Sequence, residues 1–148
     1  MLPPVDRADA GSRLAVIMGS GRLGVSIATA LSEEGYGLRI LDTDIAAFDL
    51  FPPGMIEEGH VVPVVADGTL ESGLREASIQ DADIFIAVAG KDVRNALAAQ
   101  IAQHIFRVPT VICRINDPAR KEMYDQLGLM TVSATKLATD MIVKTSVG

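Results

Sequence analysis

The stretch LAVIMGSGRLGVSIATAL, residues 14–31, passes from an apolar run through a glycine cluster into a helical pattern. Leu14–Met18 is continuously apolar, as a strand covered on both faces should be. Leu23, Ile27, Ala28 and Leu31 then recur at the spacing of one helix face. Between them stands Gly19-Ser20-Gly21-Arg22-Leu23-Gly24, a GxGxxG pattern joining strand to helix. Gly19 allows the tight turn, Gly21 lets the backbone approach a phosphate, and Gly24 lets helix and strand pack closely. The unpaired amides of a helix start favour an anion. This stretch predicts the first strand and helix of a nucleotide-binding α/β domain.

The rest of the chain repeats the alternation. Further strand-like runs lie at 38–41, 61–66, 84–89, 110–115 and 129–132. Val93, Leu97, Ile101 and Ile105 step by four and predict an apolar helix face, as do Met123 with Leu127, and Leu137 with Met141 and Ile142. A second helix is expected before the Pro-Pro-Gly loop at 52–54. Gly35, Gly37 and Gly128 sit where helices should close, and Asp117 with Pro118 reads as an N-cap followed by a first-turn proline. The expected architecture is a single doubly wound, Rossmann-like domain with six parallel strands ordered 3-2-1-4-5-6. Pro63 tests that order from within: proline is tolerated mainly on sheet edges, and the third strand is then the edge.

Composition excludes several classes. With 148 residues there is room for one domain of ordinary size, and 49% apolar with 22% charged residues suits a packed core. Residues 1–10 (MLPPVDRADA) have neither a basic start nor an apolar stretch, so residues 1–12 are expected to be a flexible tail and 13–148 the folded domain. No run approaches the roughly 20 apolar residues of a membrane span. The lone Cys113, in the apolar run TVIC, reads as a buried small hydrophobe, and a cytoplasmic setting is expected. The net charge of −6, with no basic stripe, argues against nucleic-acid binding.

Candidate site residues fall at the carboxyl ends of the strands, where such sheets bind ligands. Asp42 closes the second strand and suits both ribose hydroxyls of an adenosine; its charge disfavours a 2′-phosphate, hence NADP. Capping of the following helix is a second, compatible role for Asp42, and Asp44 reads as a solvated first-turn acid. The third strand leads into Asp67 and Gly68, suited to an adenine edge or to an N-cap. The fourth leads into Ala89-Gly90-Lys91-Asp92, followed by Asn95, and the fifth ends near Arg114. Arg22, Lys91 and Arg114 would gather at one mouth and attract polyanions. His60 and His104 lack partners at metal-ligand spacing, and no acid–base pair is evident.

The segments GSGRLG, RILDTD, VVADGTLESGLREASIQDADIFIAVAGKDVRN, VICRINDP and YDQLG together resemble the regulator-of-potassium-conductance (KTN) domain. That family occurs in cytosolic regulators of bacterial Trk and Ktr potassium uptake and in ligand-gated potassium channels. The resemblance implies a non-catalytic domain that binds NAD(H), ADP or ATP and controls a membrane potassium transporter. It assigns residues 19–24 to phosphates, Asp42 to ribose, Asp67 and Gly68 to adenine, and Ala89, Gly90, Lys91 and Arg114 to distal phosphates or a second nucleoside. It also implies a homodimer or ring, through a last helix that crosses to a neighbouring subunit. The rival expectation is the coenzyme domain of an NAD-dependent oxidoreductase separated from its substrate domain.

Overall fold

Aliphatic and β-branched runs become parallel strands β1 (Leu14–Met18), β2 (Gly37–Asp42), β3 (Val61–Val65), β4 (Ile84–Ala87), β5 (Thr110–Arg114) and β6 (Met130–Val132) in the computed structural model, which describes residues 13–148. The expected tail, residues 1–12, lies outside the described residues. Helices α1 (Arg22–Glu33), α2 (Glu71–Glu76), α3 (Asp92–His104), α4 (Pro118–Gln126) and α5 (Ala134–Val147) connect or follow the strands. The sheet order is 3-2-1-4-5-6 with every pairing parallel. Pro63 stands opposite Ile40 on the edge strand β3, where its missing N–H leaves no ladder bond unmade on the outer side.

Alternation along β1 builds two half-cores. Leu14, Val16 and Met18 pack with Leu74 of α2 and Ala96 and Ala99 of α3. Ala15 and Ile17 face the other way, onto Val25 and Ala28 of α1 and Phe48. Asp83 anchors the start of this central strand, its carboxylate accepting from the Leu14 amide at 2.8 Å. Asp117 caps α4 through the Ala119 and Arg120 amides, with Pro118 in the first turn. Cys113 is fully buried, and burial pushes its thiol up to about 11.

Two expectations are corrected. The segment after β2 is a short 3-10 helix, Ile45–Leu50, rather than an α-helix. Asp44 starts it by accepting from the Ala46 amide, and two prolines follow at once. Most of the α3 stripe faces outward: Val93, Leu97 and Ile105 are 44–53% exposed and only Ile101 packs against the core, while Asn95, Ala96, Ala98, Ala99 and Ala102 are buried. Small side chains let the helix lie close against β4 and β5, so the alanine face wins over the bulkier aliphatic one. As expected for a last helix with little chain left to cover it, α5 leaves Leu137, Met141 and Ile142 61–65% exposed, and neither α4 nor α5 has a fully buried residue. The sheet near β6 is correspondingly open, with Met130 and Val132 exposed.

Candidate nucleotide-binding site

The three loop glycines differ in what they are needed for. Gly19 adopts φ +109°, and a Cβ there would stand 2.8–2.9 Å from the backbone of Val88 and Ala89. Its amide donates to the Leu41 carbonyl at 2.8 Å, fixing the exit of β1 against that of β2. A Cβ on Gly24 would stand 1.8 Å from the Gly19 carbonyl oxygen. Both are therefore required by packing alone. Gly21 is not: its φ of −82° suits any residue, and a Cβ there meets nothing within 4 Å. It is the N-cap of α1, where no side chain caps the amides and no acid occupies the first turn. The amino end of α1 is thus open to an anion along a glycine surface. Leu23 packs against the core, leaving its backbone for this role.

Asp42 ends β2 beside that loop. Its Oδ2 accepts from the Ser20 amide at 2.9 Å, and its Oδ1 accepts from the Asp44 amide at 2.9 Å. It does not cap the 3-10 helix; Asp44 does. Ser20 is fully buried, and its hydroxyl donates to the Ala47 carbonyl. Its side chain is spent on holding the loop. Each Asp42 oxygen retains a lone pair for a further donor.

The β3–α2 loop supplies the third side. Asp67 is not an N-cap; that position belongs to Leu70. Its Oδ1 accepts from the Thr69 amide (2.9 Å), the Thr69 hydroxyl (2.6 Å) and Arg94 NH2 (2.9 Å). The Thr69 hydroxyl and amide, and then Arg94, hold its carboxyl below the usual range. Gly68 lies over the end of β1, where a Cβ would press on the Met18 sulfur. Gly73 of α2 is a requirement that no sequence pattern announced: a Cβ there would stand 1.9 Å from the Asp67 carbonyl oxygen.

Asn95, fully buried, joins the β4 and β5 ends: it bonds both backbone groups of Ala89 and the carbonyl of Arg114. Asp92 accepts from the Asn116 and Asp117 amides; burial opposes its ionisation, but those amides and the nearby Arg120 and Arg114 lower its pKa overall. A shallow crevice of about 70 Å³ is lined by Gly19, Asp42, Thr43, Gly68, Ala89 and Arg94 among others. The sequence reading gathered Arg22, Lys91 and Arg114 here, yet the cation lining this crevice is Arg94. Gly90 and Lys91 line a neighbouring recess of about 510 Å³ with Arg94 and Arg120. Arg114 is half-buried, with its Nε enclosed and unpartnered. A larger groove, about 580 Å³, lies between α4 and α5, with Asn116 and Ser133, just past the ends of β5 and β6, in its lining. Among the described residues, no cluster of His, Cys, Asp or Glu suits a metal, and no helix is long and apolar enough to cross a membrane.

The sequence profile of the TrkA-N domain matches residues 15–135, most of the chain. This chain belongs to the TrkA-N family. The TrkA-N chain is 36% identical over 129 residues to the Trk system potassium uptake protein TrkA of Streptomyces coelicolor, covering 87% of this chain and 56% of that protein. It spans about half the length of the curated relatives it matches. Its fold is that of the TrkA-N domain of the inner membrane protein ybaL from Escherichia coli (TM-score 0.76, 16% identity, 89% and 95% of the two chains). It also matches part of GsuK bound to ADP (TM-score 0.74, 21% identity, 88% and 32%) and of the GsuK channel bound to NAD (0.69, 16%, 92% and 24%).

Proposed function

We propose that this TrkA-N domain binds an adenine nucleotide, ADP, ATP or NAD(H), without catalysis, and passes the bound state to a membrane potassium transporter or channel from the cytoplasmic side. The observation that carries the reading is Gly21. Neither packing nor backbone angle requires a glycine there beyond an ordinary helix cap, whereas a phosphate approaching the uncapped amides of α1 does. Phosphates then lie along residues 19–24 with Arg22, the adenosine ribose on Asp42, and adenine by Asp67 and Gly68. Ala89, Gly90, Lys91 and Arg114 take the distal phosphates or second nucleoside. The uptake regulators related to this chain, and neighbours bound to ADP and NAD, support the nucleotide-binding and transport reading.

Thermal-shift titration tests it. Each of ADP, ATP, NAD and NADH at about 100 times its Kd should stabilise the fold by about 2.7 kcal/mol, a rise of several degrees. S-adenosylmethionine, which lacks phosphates, should give none. A flat response to all four nucleotides would sink the reading, and sustained NADH formation with an alcohol or hydroxy acid would move it to the oxidoreductase class.

Assembly completes the proposal. The domain acts as a homodimer or ring, with α5 lying on a neighbour. Leu137, Met141 and Ile142 on α5 form an exposed aliphatic face, and Val93, Leu97, Ile105, Met123 and Leu127 are further exposed large apolar side chains. Burying each such side chain is worth about 1.5–3 kcal/mol. Light scattering should give at least twice the chain mass, and Leu137→Asp with Ile142→Asp should return it to one; a concentration-independent monomer of the unmodified chain refutes this.

A further inference from the structure

We infer that Arg94 is a specificity-determining positioning residue: by holding Oδ1 of Asp67 it presents Oδ2 as an oriented acceptor, so that the site takes a base with an exocyclic amino group and rejects one with a carbonyl there. This rests on the nucleotide reading above. Three donors converge on Oδ1, two from Thr69 and one from Arg94. Oδ2 takes none of them. A carboxylate held by neighbours in its own loop alone moves with that loop; Arg94 ties it to a different element. That element is rigid at this point, because the next residue, the fully buried Asn95, is bonded to Ala89 and Arg114. Arg94 also lines the crevice beside Asp42 and Gly68. The charged acceptor welcomes an amino donor, as on adenine, and repels a carbonyl oxygen, as on hypoxanthine. The pair is accessible, 42% exposed at Arg94 and 34% at Asp67, so loosening it leaves the fold standing.

The test is calorimetric titration of the whole chain with ADP and IDP, which share every phosphate and ribose contact. The unmodified protein should favour ADP about tenfold, the worth of one charged hydrogen bond. Arg94→Gln should reduce that preference to about twofold, with an unchanged melting temperature, and Arg94→Lys should restore much of it. Asp67→Asn, which offers an amide donor, should bring IDP level with ADP. An equal loss of both ligands in Arg94→Gln, at constant ratio, overturns the inference, because the arginine would then be merely structural. A ratio near one in the unmodified protein overturns it as well, while leaving the nucleotide reading intact. Failure of the unmodified protein to bind either ligand removes both.

Discussion

Gly24→Ala should strongly destabilise the domain, whereas Gly21→Ala, three residues away, should leave its stability nearly intact and weaken nucleotide binding. A Cβ at Gly24 falls 1.8 Å from the Gly19 carbonyl oxygen, a backbone atom pinned by the Gly19 amide's bond to Leu41. Neither α1 nor the turn can retreat without opening the α1 half-core, so the expected cost is about 3 kcal/mol or more. For a domain of this size that lowers Tm by about 10 °C. At Gly21 the Cβ meets nothing within 4 Å, and the stability cost is at most the ordinary loss of a glycine cap, about 1 kcal/mol. The same methyl group nevertheless stands where a phosphate must approach, and should weaken ADP, ATP and NAD by about tenfold or more. Circular dichroism melts and calorimetry on both variants check the pair. Equal melting losses, or unchanged binding in the folded Gly21 variant, would mean that the loop is a packing turn only.

Asp42 and Arg22 should fail in different ways. Asp42→Ala removes the ribose acceptor common to all adenosine nucleotides, so ADP, ATP and NAD should weaken by similar factors, about 1.5–3 kcal/mol. It also frees the Ser20 and Asp44 amides, so Tm should fall by several degrees without ligand. Arg22→Ala sits on the exposed first residue of α1 and should leave Tm unchanged. It should weaken ATP more than NAD, because the triphosphate carries more charge at the helix start. The ATP-to-NAD affinity ratio should therefore drop only in the arginine variant. Binding like the unmodified protein in both variants would put the site elsewhere.

Local features were legible in the sequence where their cause is local. The strand–helix alternation follows from apolar runs and their periodicity, and the Asp117–Pro118 start of α4 from cap chemistry. The sheet edge at β3 follows from the one residue type that lacks an N–H. The glycine loop declared itself by its spacing between strand and helix, although only Gly24 answers a backbone constraint within a few residues; Gly19 is needed against Val88 and Ala89, and Gly21 meets nothing within 4 Å. Asp83 belonged to a motif whose physical job, clamping the Leu14 amide 69 residues away, emerges only from the folded chain.

By itself, then, the chain's residue order determined the fold class and the strand order, because these depend on periodicity, turns and handed crossovers. Tertiary structure alone decided which face of α3 is buried, since four-residue spacing cannot weigh large aliphatics against alanines until the distance to the sheet is set. It likewise decided that α5 covers nothing of its own sheet, and that the crevice cation is Arg94. Arg94 and Asp67 are 27 residues apart, and Gly73 meets the Asp67 carbonyl through a turn of α2. Such contacts arise where separate crossovers converge on one end of the sheet, a place that no local pattern encodes.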